Sequence, residues 1–143
     1  RKYHDGSSMV TELGGGKRMK VVRYDQTPVW NAPGQETRRV KLYATPEDLG
    51  TKGLSVGMSI YGPGMAAPWH KHDGEETMFI LHGKGRFATR NESVEVSAGD
   101  LLYFPPGEEH MLECLGDTSL EFLFIYTPPG AEKPIKESWI RRK

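Results

Sequence analysis

Glycine and proline interrupt this chain so often that long helices are excluded. Its 143 residues include 17 glycines and 10 prolines, and few windows keep helical periodicity for more than two turns. Short apolar and β-branched runs lie between these breaks, separated by the turn signals GPG, HDG, GKG, AGD, PPG and GDT. Short strands at this regular spacing predict an all-β barrel or sandwich.

The predicted elements are almost all strands. One helical turn is expected over residues 45–50, with Thr45 as N-cap and Pro46 at the first helical position. We expect one barrel domain over residues 19–127, an N-terminal arm (1–18) and a C-terminal arm (128–143), with each arm ordering against the barrel or a second subunit. The predicted strands are 19–24, 38–43, 54–61, 76–82, 86–90, 93–97, 100–104, 110–115 and 119–126.

Composition limits the function classes. The formal net charge is zero, so no electrostatic footprint for nucleic acid or an anionic membrane is predicted. No apolar run is long enough to span a bilayer, and no signal-peptide pattern is visible, although the chain begins at Arg1 rather than at methionine. A single cysteine, Cys114, excludes an intrachain disulfide and favours a reducing, cytoplasmic location.

Three of the five histidines lie in the stretch PWHKHDGEETMFILHG, residues 68–83. Residues two apart on a strand share a face, so His70 and His72 are expected to lie side by side. After the HDG turn, either Glu75 or Glu76 could close on the same point. Parity leaves both open because each face is mostly apolar, with Met78, Ile80 and His82 beside Glu76, and Thr77, Phe79 and Leu81 beside Glu75.

A further histidine follows the Pro-Pro-Gly turn of GDLLYFPPGEEH, residues 99–110. His110 is predicted to begin a strand that could lie antiparallel to that of His70 and His72. Three imidazoles and one carboxylate suit Fe(II), Mn(II), Ni(II) or Zn(II) and argue against calcium. Four protein ligands with open positions indicate a reaction site rather than a closed structural site.

Both histidine segments resemble the two motifs of the cupins. The first motif is filled at every fixed position by residues 64–83, and the second by residues 99–114, except that Cys114 stands where the family has asparagine. The resemblance covers about residues 54–127 and implies a single-domain cupin β-barrel, also called a double-stranded β-helix or jelly roll. It selects Glu76, so one divalent transition metal (Fe, Mn, Ni or Zn) is expected at His70, His72, Glu76 and His110. The change at Cys114 falls outside this ligand set.

Other side chains are candidates for roles around the metal. The residues expected to line the substrate pocket are Tyr61, Met78, Ile80, Phe104 and Phe124. The arginines Arg38, Arg39, Arg86 and Arg90 could bind an anionic substrate, but a solvated outer face is the favoured interpretation. Trp69 either covers the mouth or simply packs. For His82 we favour an exposed turn histidine, and for Cys114 a small buried hydrophobe.

The best-supported function is a mononuclear metal-dependent cupin acting on a small chelating substrate with oxygen donors. A mainly apolar inner face favours a dioxygenase-type reaction. A metal-dependent isomerase, decarboxylase or lyase and a non-enzymatic small-molecule-binding barrel remain alternatives, because the fold does not determine the reaction. Because edge strands need a partner, a homodimer is predicted, formed by exchange of the strand at residues 19–24. The expected partner is a small molecule, not nucleic acid or a membrane.

Overall fold

The computed structural model describes residues 19–142 and, before them, the backbone of two short strands. The strands are β1 (Lys2–His4), β2 (Ser8–Glu12), β3 (Lys20–Val22), β4 (Val29–Ala32), β5 (Gln35–Ala44), β6 (Ser55–Tyr61), β7 (Ala66–His70), β8 (Glu75–His82), β9 (Lys84–Thr89), β10 (Ser93–Ser97), β11 (Leu101–Phe104), β12 (His110–Leu115), β13 (Leu120–Thr127) and β14 (Ile140–Arg142). The helices are α1 (Pro46–Leu49) and α2 (Lys133–Ser138), with a 3-10 turn at Tyr24–Gln26.

Two large sheets form the body of the molecule. One has seven strands in the order β11-β8-β13-β6-β5-β4-β14, and the other has four in the order β10-β9-β12-β7. Phe87 of β9 and Phe122 of β13 meet between them, with ring centroids 5.8 Å apart. Both side chains are buried, as alternate residues of β12 and β13 are, so the core lies between the sheets. The predicted all-β barrel architecture is confirmed.

The N-terminal strands form a small sheet of their own. β3, which lies within the predicted strand 19–24, pairs with β2 in the order β1-β2-β3 rather than with either large sheet. The proposed exchange of this strand between subunits stays a prediction. Among the described residues, no helix has the length and apolar character needed to cross a membrane. The cytoplasmic location also stays a prediction.

Both helices border the seven-stranded sheet. The helical turn predicted at Thr45 is confirmed, because the Thr45 hydroxyl accepts a hydrogen bond of 3.0 Å from the backbone N–H of Asp48. The C-terminal segment turns back onto the barrel of its own chain, where β14 pairs with β4. The Lys136 ammonium of α2 lies 2.7 Å from the Asp48 carboxylate and also pairs with Glu47. These contacts attach α2 to α1.

Candidate metal centre

Two strand ends and a loop bring three histidines together. His70 ends β7 and lies opposite His110, which begins β12. His72 lies two residues beyond β7, where its backbone carbonyl accepts a hydrogen bond of 2.8 Å from Gly107. The ring centroids are 4.4 Å apart for His70 and His110, and 5.1 Å apart for His70 and His72. One nitrogen from each of the three rings lies within 4.8 Å of the others, so the histidines converge on a common point.

Glu76 contributes a buried carboxylate to the same point. Its Oε1 lies 3.3 Å from the Nε2 of His72 and 3.3 Å from the Nε2 of His110. Yet within the described part of the chain, none of these three buried atoms makes a hydrogen bond of acceptable geometry. Buried polar atoms are nearly always satisfied, so three that converge without partners fit a bound cation. Nitrogen donors with one carboxylate are the donor set of a divalent transition metal.

Backbone carbonyls orient two of the rings. The Nδ1 of His70 donates to the Pro68 carbonyl at 2.7 Å, and the Nδ1 of His110 donates to the Glu108 carbonyl at 2.8 Å. A carbonyl only accepts, so in each ring Nδ1 carries the hydrogen and Nε2 presents its lone pair to the site. Phe104 stacks on the His110 ring at 4.2 Å and holds it in this orientation.

The pKa values agree with an ionised carboxylate among imidazoles. Burial would raise the pKa of Glu76, but the nearby His110 and His72 lower it below its usual value. Burial lowers the pKa of His70, which favours its neutral, metal-binding form. For His110, burial lowers the pKa, but Glu76 and the Glu108 carbonyl together raise it above its usual value.

The strand parity of β8 separates the two candidate carboxylates. Glu76, Met78 and Ile80 are buried on the inner face of β8. Glu75 is exposed and accepts a hydrogen bond from the Tyr103 hydroxyl. The structure therefore brings His70, His72, Glu76 and His110 together and leaves Glu75 outside this cluster.

A cavity of about 660 Å³ opens beside the cluster, a size typical of small-molecule sites. His70, His72 and Glu76 line it, and His110 lies behind them with 1% of its surface exposed. Of the residues expected to line the pocket, Tyr61, Met78 and Phe124 do so. The other two do not border the cavity, because Ile80 is fully buried in the core and the Phe104 ring is stacked on His110.

Five other candidates from the sequence do not line the cavity: Arg86, Arg90, Trp69, His82 and Cys114. Arg86 pairs with Glu113 and Arg90 with Glu109 on the surface. The Arg90 guanidinium lies 3.8 Å from the Trp69 ring centroid, and Trp69 does not line the cavity. His82 is exposed, with its Nδ1 3.0 Å from the Ser119 carbonyl. The buried Cys114 thiol donates to the Thr118 carbonyl at 3.2 Å.

The C-terminal segment and Arg38 line the cavity, although the sequence did not lead us to expect either of them there. The C-terminal segment supplies Pro128, Ile135 and Trp139 to the cavity wall. The only local signal is the presence of Ile135, Trp139 and Ile140 in a largely polar tail. Arg38 also lines the cavity, although its charge favoured a solvated face.

Comparison with known families identifies a cupin domain over residues 57–126. The chain is 42% identical over 64 residues to the oxalate-binding protein of Thermotoga maritima, which is 44% of this chain and 53% of that protein. It is 37% identical over 76 residues to an uncharacterized protein of Methanocaldococcus jannaschii, 52% of this chain and 61% of that protein. The chain thus spans between about half and three fifths of the length of these curated relatives.

Solved structures share the fold. A predicted oxalate decarboxylase of Thermotoga maritima is 31% identical, with a TM-score of 0.63, over 76% of this chain and 98% of that one. A variant of the oxalate decarboxylase of Bacillus subtilis has a TM-score of 0.71 at 20% identity, over 87% of this chain and 33% of that one. The second likeness concerns the fold alone.

Proposed function

The chain belongs to the cupin family, and on that basis we propose that it is a mononuclear metal-dependent protein acting on a small chelating substrate with oxygen donors. The observation that carries this proposal is the set of convergent buried atoms without partners on His72, Glu76 and His110, beside a cavity of about 660 Å³. His70 completes the donor set, and its Nδ1–H is already held by a backbone carbonyl.

A divalent transition metal held by His70, His72, Glu76 and His110 would supply Lewis-acid polarisation of a substrate oxygen or, if redox-active, access to dioxygen chemistry. The chain supplies the surroundings. Phe122, Phe124 and Met78 form an apolar wall that excludes water from the bound substrate.

The tyrosines of the wall bear on the reaction type. Burial raises the pKa of Tyr126 well above its usual value, and it also raises the pKa of Tyr61. Both hydroxyls therefore stay protonated at neutral pH, where they can donate hydrogen bonds but not abstract protons. The other lining carboxylates, Asp73 and Glu75, are exposed. A dioxygenase-type reaction needs no buried protein base, so it is our first candidate over isomerisation or elimination.

A second candidate is binding or decarboxylation of a small organic acid. The similarity to the Thermotoga maritima protein named for oxalate binding and to the predicted oxalate decarboxylase favours it. Its chemistry uses the same four residues and the same cavity. Turnover distinguishes the two candidates.

The test is reconstitution under nitrogen with Fe(II), Mn(II), Ni(II) or Zn(II), followed by addition of oxalate, 2-oxo acids or 1,3-diketones in air-saturated buffer. Substrate-dependent oxygen consumption supports a dioxygenase. Release of carbon dioxide without oxygen consumption supports a decarboxylase, and saturable binding without turnover supports a binding protein. The Glu76→Ala variant should abolish each signal, while Glu92→Ala, at an exposed position that does not line the cavity, should not. Failure of the wild type to bind any of the four metals refutes the proposal.

We also propose that the chain forms a homodimer through the outer face of β8 and β11. Phe79 and Leu101 are paired across these strands and are 40% and 61% exposed, with the exposed Leu81 and Tyr103 beside them. Burial of such a patch against a second copy would remove apolar surface from water. Light scattering after size-exclusion chromatography should give a dimer for the wild type and for Val94→Glu, but a monomer for Phe79→Glu/Leu101→Glu. A monomeric wild type at micromolar concentration refutes the dimer.

A further inference from the structure

Arg38 is the feature of the cavity that the proposed function leaves unused. It lies on β5 directly opposite Tyr61 of β6, and both side chains line the cavity. Val40, two residues on, lines the cavity as well, whereas the intervening Arg39 does not. Alternation along the strand therefore turns one arginine of the pair inward and the other outward.

The Arg38 side chain is held in place by neutral groups. Its Nη1 donates to the Gln35 side-chain oxygen at 3.0 Å, and Gln35 in turn donates to the Ala66 carbonyl of β7 at 3.3 Å. Because β7 ends at His70, this bridge fixes the guanidinium relative to the metal cluster. The guanidinium carbon also lies 5.0 Å from the Trp139 ring centroid and 5.7 Å from that of Tyr61.

No carboxylate of the described residues neutralises this charge. The ion pairs present in that part of the chain do not include Arg38, and its buried Nε has no hydrogen-bond partner. Charges withdrawn from water are usually paired, and a guanidinium fork matches a carboxylate in geometry. An unpaired and prepositioned guanidinium on a cavity wall is therefore suited to an acidic group of the ligand.

We propose that Arg38 binds a second acidic group of the substrate, so that the ligand is a dicarboxylate whose one end chelates at the histidine–glutamate cluster and whose other carboxylate pairs with Arg38. This inference rests on the proposed function. The cavity lining also includes Val40, Phe122 and Phe124, so we expect the linking portion to be an apolar carbon chain. A two-carbon diacid would fill only a small part of the 660 Å³ cavity, and the proposed ligand is longer.

The test is calorimetric binding to Mn(II)-loaded protein under nitrogen with matched probes. 2-Oxoglutarate is compared with 5-methyl-2-oxohexanoate, which carries two methyl groups in place of the distal carboxylate oxygens. 2-Oxoadipate and 6-methyl-2-oxoheptanoate form a longer pair. In at least one pair, the wild type should bind the diacid about tenfold or more tightly than the matched monoacid, as expected for charge-assisted hydrogen bonds.

Two neighbouring arginines give a matched comparison. Arg38→Gln should lose the preference for the diacid while its affinity for the monoacid probe stays unchanged, and Arg39→Gln should behave as the wild type. Arg38→Lys should keep part of the preference, and it carries the test if Arg38→Gln does not fold. A wild type without preference in either pair, or an Arg38 variant that keeps it in full, overturns the inference.

Metal content measured on the same samples distinguishes a failure of the Arg38 inference from a failure of the proposed function. Arg38→Gln should retain the wild-type amount of metal, because Arg38 is not one of the proposed metal ligands. Metal-loaded protein without diacid preference refutes the Arg38 inference alone. A wild type that retains no metal refutes the proposed function and this inference with it.

Discussion

Replacing Gly57 with alanine should displace the ring that forms part of the cavity wall. Gly57 of β6 lies directly opposite Phe124 of β13. A Cβ on residue 57 would lie less than 3.0 Å from its three nearest atoms, all in the Phe124 ring, whereas ordinary contact begins at 3.4 Å. The ring is buried, so a small rotation does not relieve the overlap. Overpacking of this kind costs roughly 1–3 kcal/mol, and we expect the free energy of unfolding to fall by about 2 kcal/mol.

Urea denaturation followed by circular dichroism measures this change. Gly53→Ala is the matched control, because a Cβ there meets no atom within 4 Å, and it should change stability by less than about 0.5 kcal/mol. In a Phe124→Leu background the cost of Gly57→Ala should shrink, since the smaller side chain removes the clash. The reasoning is refuted if Gly57→Ala is as stable as Gly53→Ala, or if its cost is the same in both backgrounds.

Two further predictions concern charged groups. In metal-free protein, burial lowers the pKa of His110, but hydrogen bonding to Glu76 helps to raise this pKa above the usual 6.5. Glu76→Gln should therefore lower the pKa of His110, which NMR titration measures. A histidine pKa that is raised on folding stabilises the protein below pH 6.5, and this stabilisation disappears as the pH rises through the pKa of the folded state. An unchanged titration of His110 in Glu76→Gln would contradict the account. Lys136→Met should cost about 1–3 kcal/mol and speed amide hydrogen exchange in α2, because the buried Asp48 carboxylate loses an ammonium 2.7 Å away. The exposed Lys133→Met should do neither, and equal effects of the two variants would show that the Asp48 contact is unimportant.

Turn signals predicted the bounds of two strands. Residues 93–97 are a strand with the predicted bounds, and the AGD turn signal follows it directly. Residues 110–115 are also a strand with the predicted bounds, and the PPG turn signal precedes it. The list of predicted strands omitted β1, β2, β4, β7 and β14, and no helix was predicted at α2. All three residues of β14 are exposed, so no apolar alternation marks this strand. α2 has only six residues, and a helix this short depends on packing that the sequence does not display locally.

The alternation of residues along a strand was less informative for the metal site than for the fold. Both faces of β8 are apolar: Met78 and Ile80 lie inside, while Phe79 and Leu81 lie outside and are exposed. The pattern alone could not say whether Glu75 or Glu76 faces in, and the family resemblance supplied that choice. Arg38 was ranked low for a related reason, since a charged residue on a strand usually faces solvent. Its inward orientation follows from the pairing of β5 with β6, which is a long-range contact.

The most direct test of the central claim is the metal content of untagged protein purified under nitrogen without chelator. We predict about one equivalent of a divalent transition metal in the wild type and almost none in His72→Ala/Glu76→Ala, which removes two of the converging donors. Glu75→Ala/His82→Ala changes the same residue types at exposed positions and should keep the metal. A wild type that carries no metal and cannot be reconstituted, or a His72→Ala/Glu76→Ala variant that keeps a full equivalent, would contradict the account.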